Sequence, residues 1–304
     1  MSLRHRHPAE SVQPPSALAT LTLRAPAKLN LYLRVVGKRP DGYHELETLF
    51  ERIDLADELS FEPAETLTLT CDASSLSAGD DNLVLKAARA LQQAVGVSRG
   101  ARIRLAKRAP VAAGLGGGSS DAATALLGLN ELWGLRWPRE RLLPLGRQLG
   151  ADVPFFLMDA RFAIGRERGD VCAPLAVPPE VVLWHVLAVP NEPLLTRDVF
   201  AALNLSLTPP GPPLTMCAQS LLDGHLPRLA QTLRNDLELP ASQRCPRIAS
   251  LKARLQEGGA IAVSLSGSGP SVFGLVASEE DARRLAARIA SPSDAWRVFV
   301  CRTR

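Results

Sequence analysis

The stretch PVAAGLGGGSSDAA, residues 110–123, constrains the fold more than any other part of the 304-residue chain. Four glycines (Gly114, Gly116, Gly117 and Gly118) follow the alternating segment 102–107, which reads as a strand. The two serines after them lead into DAATALLGLNELWG, which reads as a helix from Ser120 that Gly134 ends. Glycines let the backbone take positive φ and bring its N–H groups onto an anion with no Cβ in the way. A helix N-terminus adds free donors and the positive end of the dipole. Strand, glycine loop and helix in that order make a phosphate cradle. Ser119 and Ser120 can bond phosphate oxygens or ligate Mg²⁺, with Asp121 as a helix cap. No lysine follows the glycines, so the loop is no Walker A. Ser119 stands where a dinucleotide fingerprint needs its third glycine.

Net charge is +4, with 46% hydrophobic and 22% charged residues, as in an ordinary globular protein. The positive charge is scattered and no Lys/Arg block of a nucleic-acid binder occurs. Five widely spaced cysteines with no CxxC point to a reducing, cytoplasmic setting. No apolar run approaches membrane-span length. Residues 1–20 are Arg/His-rich, then Pro/Ser-rich, and read as a disordered extension.

Strands are expected at 21–37, 67–71, 102–107, 181–189 and 295–301, with a further pair flanking the SGSG at 266–269. Helices are expected at 82–95, from Ser120, and at 217–233, 248–256 and 279–289. Residues 207–214, LTPPGPPL, read as loop. Strands and helices mix without a regular βαβ beat, which predicts an α+β fold in two domains, 21–165 and 166–304.

Phosphoryl transfer needs charge neutralisation and a group that orients or deprotonates the acceptor hydroxyl. Lys28, in APAKLNLYL, interrupts an apolar strand and either reaches solvent or serves chemistry. Asp152, in GADVPFF, lies at the edge of an apolar run as a cap or an acid. If the two meet, the pair can polarise a hydroxyl. Tyr43 and His44 follow the Pro40-Asp41-Gly42 turn and present either an incidental surface turn or a stacking surface for a planar ligand. Gly267 and Gly269 belong to a second glycine loop, a tight turn or an anion nest.

The ordered series AKLNL, DGYHEL, GLGGGSSDAA, GADVPFF, NDLE (residues 235–238) and SLSGSGPSVF resembles the GHMP kinase superfamily, and within it the 4-diphosphocytidyl-2-C-methyl-D-erythritol kinases of the non-mevalonate isoprenoid route. The resemblance covers nearly the whole chain. It implies a two-domain GHMP kinase-like fold with the active site in the interdomain cleft, ATP and Mg²⁺ as cofactors, and phosphorylation of the substrate's 2-hydroxyl. By that resemblance Lys28 and Asp152 are catalytic. Pro110, Val111, Ala112, Ala113, Gly114, Leu115, Gly116, Gly117, Gly118, Ser119 and Ser120 wrap the ATP phosphates. Asn30, Tyr43 and His44 recognise the cytosine and its surroundings, with Phe200 on the opposite face of the base. Thr196 lies near the substrate diphosphate, and Gly267 and Gly269 line the cleft. No carboxylate is placed as a second Mg²⁺ ligand, so no protein metal site is expected. The expected partner is the small-molecule substrate, with no nucleic acid or membrane, in a monomer or weak homodimer. Rival readings are a mevalonate, homoserine or sugar kinase, or a non-catalytic module that keeps the fold.

Overall fold

The computed structural model describes residues 20–304 except 75, 97, 209 and 291–294. The expected N-terminal extension lies outside the described residues but for Thr20. In chain order the first half runs β1 (Leu21–Lys38), β2 (His44–Ala64), β3 (Leu67–Cys71), α1 (Leu83–Val95), β4 (Gly100–Ala106), α2 (Gly117–Leu132), α3 (Arg139–Leu149), α4 (Val153–Leu157), β5 (Phe162–Glu167) and β6 (Val171–Pro174). The second half runs β7 (Trp184–Pro190), α5 (Thr196–Ala201), a 3₁₀ turn at Leu205–Leu207, α6 (Leu214–Leu222), α7 (Leu226–Thr232), β8 (Arg234–Asn235), α8 (Glu238–Arg244), α9 (Arg247–Glu257), β9 (Ala262–Leu265), β10 (Val272–Val276), α10 (Glu279–Ile289) and β11 (Trp296–Arg302).

A long antiparallel hairpin, β1 and β2, is the spine of the larger sheet, ordered β3-β4-β2-β1-β8, with β5 on β2 and β6 on β5. Its turn closes where Arg39 N–H donates to the Tyr43 carbonyl at 2.7 Å. β1 is buried on both faces from Ala25 to Leu33. Helix α2 packs against it, while Leu29, Leu31 and Tyr32 join a second core with Leu187, Cys217, Leu221 and Phe273. The smaller sheet is antiparallel in the order β11-β7-β10-β9, with α9 and α10 contributing Ile248, Leu251, Leu255, Leu285 and Ile289 to its core. The fold is α+β, as expected.

Several expectations need adjustment. The expected join at 165/166 falls inside β5, because pairing with β2 and β6 keeps the chain in the larger sheet to Pro174. The helix expected at 217–233 is two, α6 and α7, interrupted at Asp223-Gly224. Helix α2 starts at Gly117, three residues early, because Ser120 N–H already closes a turn on the Gly116 carbonyl at 2.9 Å. Asp121 is therefore inside the helix and not its cap.

The halves are tied together. β8 adds in parallel to β1, and Asn235 and Asp236 carry the joint. Glu51 on β2 is fully buried and accepts from Thr303 Oγ1 at 2.6 Å, while its other oxygen lies 2.8 Å from His185 Nε2 on β7. A buried carboxylate with two partners at hydrogen-bond distance is satisfied where an unpaired one would be expelled.

Candidate active site

Both halves line one cleft of about 1450 Å³. Drug-sized ligands occupy roughly 300–1,000 Å³, so this cleft has room for a nucleotide and a second substrate together. The glycine loop forms one wall. Gly114 sits at φ +75°, and a Cβ there would lie 2.2 Å from the Ser266 carbonyl oxygen. Only glycine lets the two loops approach this closely. The contact is then fastened by Ser266 Oγ donating to the Gly114 carbonyl at 3.0 Å and Ser271 N–H donating to the Ala113 carbonyl at 3.3 Å. Gly116, at φ +68°, caps α2 without a side-chain bond, so the first N–H groups of a 16-residue helix are left for a ligand.

Lys28 reaches the cleft from β1, 3% exposed. Its ammonium donates to Asn30 Oδ1 at 2.5 Å and to the Gly114 carbonyl at 3.0 Å, and lies 3.7 Å from Asp152 Oδ2. Burial pulls the Lys28 pKa below its ordinary value, and the charge of Asp152 opposes that fall. Asp152 precedes α4, makes no capping bond and is 30% exposed at its side chain. The carboxylate is thus paired on one side and open to the cleft on the other.

Asn30 is employed differently from the expectation. Its Oδ1 accepts a hydrogen bond from the Lys28 ammonium, and its Nδ2 donates to Thr48 Oγ1 at 2.7 Å, which in turn donates to the Tyr32 carbonyl at 2.7 Å. The amide thus holds Lys28 with one acceptor site and is itself held by one N–H, leaving its second N–H on a residue that lines the cleft. At the far end of the cleft His44 stacks on Phe200, with ring centroids 5.1 Å apart and 28° between planes. The rings touch each other, so a base enters between them only if they part. Burial and the Lys38 charge lower the His44 pKa, favouring the neutral ring. Tyr43 is exposed, with the Arg168 guanidinium 5.1 Å from its ring centroid.

Thr196 opens α5, and its Oγ1 is 2.9 Å from Ser268 Oγ. Gly267 lies against Gly114 and Lys28 on the cleft wall. Two expected residues are not on that wall. Ser120 is fully buried, and its hydroxyl has no partner among the described residues. Gly269 faces Leu265 and Ile248 in the core behind its loop. The helix turns Ser120 inward, and the tight turn does the same to Gly269.

The pattern missed other contributors. Lys107 lies beside Gly117, where its ammonium donates to Asp57 at 2.5 Å and Asp121 at 2.8 Å. Burial draws the Lys107 pKa down, but the two carboxylates hold it above its ordinary value. Burial pushes Asp121 up to about 7, with Lys107 resisting. Asn235, in the NDLE motif, donates from Nδ2 to the Leu265 and Gly267 carbonyls, both at 2.8 Å, and holds the second glycine loop against β1. Replacing Asn235 by Ala leaves both carbonyls short of a donor and is expected to cost about 1–3 kcal/mol. Urea denaturation checks this, and an unchanged midpoint would exclude the role.

The comparisons with known proteins identify the family. Sequence profiles of the GHMP kinases N terminal domain and the GHMP kinases C terminal region match residues 82–160 and 217–294. The 4-diphosphocytidyl-2-C-methyl-D-erythritol kinase of Geobacter metallireducens is 44% identical over 288 residues, 94% of this chain and 99% of the relative. The chain belongs to the 4-diphosphocytidyl-2-C-methyl-D-erythritol kinase family. A crystal structure of 4-(cytidine 5'-diphospho)-2C-methyl-D-erythritol kinase superposes with a TM-score of 0.79 at 36% identity, covering 93% of this chain and all of the other. Homoserine kinase from Cytophaga hutchinsonii, at 21% identity and a TM-score of 0.72 over 97% of both chains, shares the fold. No helix among the described residues is long and apolar enough to cross a membrane.

Proposed function

We propose that this kinase transfers the γ-phosphoryl group of ATP to the 2-hydroxyl of 4-diphosphocytidyl-2-C-methyl-D-erythritol, a step of the non-mevalonate isoprenoid route. The observation that carries the reading is the pairing of Lys28 with Asp152 at 3.7 Å, beside the glycine loop and in one cleft with the His44–Phe200 stack. In this reading the N–H groups of residues 114–119 and the start of α2 bind the phosphates. Asp152 accepts the hydroxyl proton as the oxygen attacks, or orients that proton in a loose transition state. Lys28 keeps the carboxylate ionised and stabilises the charge on the transferring group. Asn30 fixes Lys28 and lines the cleft on the substrate side.

The cytosine is assigned to the aromatic end, where His44 and Phe200 separate to take it between them and Tyr43 supports it. Lys38, Arg168 and Arg197 line the same cleft and set positive charge near the diphosphate. Magnesium enters as part of the MgATP substrate. Beside the loop, Asp121 Oδ2 is engaged by Lys107, while Asp121 Oδ1 and the Ser120 hydroxyl are buried with no partner among the described residues.

Turnover with the cytidyl diphosphate substrate, mevalonate and homoserine in parallel tests the assignment. Phosphorylation of the cytidyl compound alone is the expected result, and turnover of only the other two would overturn it.

A further inference from the structure

The two groups of the reacting pair sit on different elements, Lys28 on β1 and Asp152 before α4. Helix α4 is only five residues long, far too short to be stable by itself. A helix runs out of N–H donors at its C-terminal end, and here the Phe155 carbonyl takes one, from Met158 N–H at 3.2 Å, while the others need donors from outside. Arg52 supplies them. Its Nη2 donates to the Met158 carbonyl at 2.8 Å and the Phe155 carbonyl at 3.2 Å, with the Phe156 carbonyl at 3.5 Å. The guanidinium also lies 5.5 Å from the Phe155 ring centroid. Burial lowers the Arg52 pKa to about 10, which leaves it protonated at neutral pH and its bonds charge-assisted.

Arg52 is also the residue directly opposite Lys28 in the β1–β2 ladder. Its backbone is held on both sides, N–H donating to the Arg161 carbonyl at 2.8 Å and its carbonyl accepting from Arg304 N–H at 2.9 Å. The strand pair that carries Lys28 therefore reaches through Arg52 to one end of α4, and Asp152 stands at the other. Helix α4 has a second cap, Arg139 donating to the Leu157 carbonyl at 2.9 Å, but Arg139 belongs to α3 and not to the β1–β2 ladder.

We infer that Arg52 is a positioning residue for phosphoryl transfer, fixing α4 on the β1–β2 ladder so that the Asp152 carboxylate is held beside the Lys28 ammonium. The inference rests on the reading of Asp152 given above. Displacement of a reacting group by about 1 Å costs on the order of a hundredfold in rate, whereas substrate binding contacts elsewhere in the cleft are untouched.

The test is steady-state kinetics of the full-length Arg52→Met, Arg52→Lys and Arg139→Met variants with MgATP and the cytidyl diphosphate substrate. Competent sites are counted by equilibrium binding of a non-hydrolysable ATP analogue. Per competent site, kcat of Arg52→Met is expected to fall on the order of ten- to a hundredfold with both KM values little changed. Arg52→Lys should recover part of the loss, and Arg139→Met should stay within about threefold of the parent. Adding Arg52→Met to Asp152→Asn should slow the enzyme no further, since the group to be positioned is gone. An unchanged kcat per competent site in both Arg52 variants overturns the inference. So does a loss fully matched by lost nucleotide-binding sites, an equal loss in Arg139→Met, or an additive loss in the double variant. Full turnover of Asp152→Asn alone would bring down the reading of Asp152 and this inference with it. An inactive Asp152→Asn beside a fully active Arg52→Met brings down this inference alone.

Discussion

Asp152→Asn is expected to lower kcat by about 10²–10⁴-fold, the usual contribution of a positioned general base, while nucleotide affinity is retained. Asn keeps the shape of the side chain but cannot accept the hydroxyl proton or balance the ammonium 3.7 Å away. The change also reaches Lys28. Burial already lowers the Lys28 pKa, and the Asp152 charge is what opposes it, so removing that charge lowers it further. Residual activity should therefore lose its alkaline limb at a lower pH than in the parent. Lys28→Ala is expected to be comparably slow with nucleotide binding kept, because the phosphate cradle is backbone. Isothermal titration with an ATP analogue beside a pH–rate series separates these effects. Parent-like turnover in both variants would remove the assigned roles.

Gly114→Ala carries the second large effect, and it acts on binding and stability together. Alanine at φ +75° costs about 1–2 kcal/mol from the left-handed conformation alone. The added methyl group would lie 2.2 Å from the Ser266 carbonyl oxygen, and that neighbour is backbone, already accepting from Gly269 N–H at 2.9 Å. One of the two loops must move. The Gly114 carbonyl moves with it, and that carbonyl takes bonds from Lys28 and Ser266. A total loss of roughly 3 kcal/mol or more is expected, with a weaker hold on the phosphates. Urea denaturation and the KM for ATP report the two parts. A variant that keeps its denaturation midpoint and its KM would show that the loops are not in contact as described.

What the sequence disclosed and what it hid divide along a physical line. The glycine loop was legible because strand, glycines and helix are contiguous, and backbone chemistry needs no distant partner. Helix 279–289 was read to the residue, since a Ser278 cap and charged first turn are local signals. Strand β2 was not legible. Its 21 residues include Glu47, Glu51 and Arg52, which break the apolar alternation, and the strand is held by β1, β4 and β5 on its flanks. Glu51 is tolerable in a core because of His185 and Thr303, partners 134 and 252 positions away in sequence. Helix α3 was hidden by Pro144 in its interior and by its arginines. At the site, Lys28 and Asp152 could be singled out as odd charges in apolar surroundings, and the structure brings them together. The employment of Asn30 could not be read, because Thr48 reaches it through the hairpin register. The burial of Ser120 could not be read either, because it follows from α2 starting at Gly117, three residues before the expected start.

The joint between the halves has a practical corollary. Neither piece of a chain nicked at the exposed Glu180 would own a finished surface. The first fragment would lack β8 along the edge of β1 and the bridge from Thr303 to Ile53, and would keep Glu51 without its two partners. The second would leave the far side of that same joint bare. Such fragments should be inert apart and regain turnover when expressed together, since each carries the missing edge of the other.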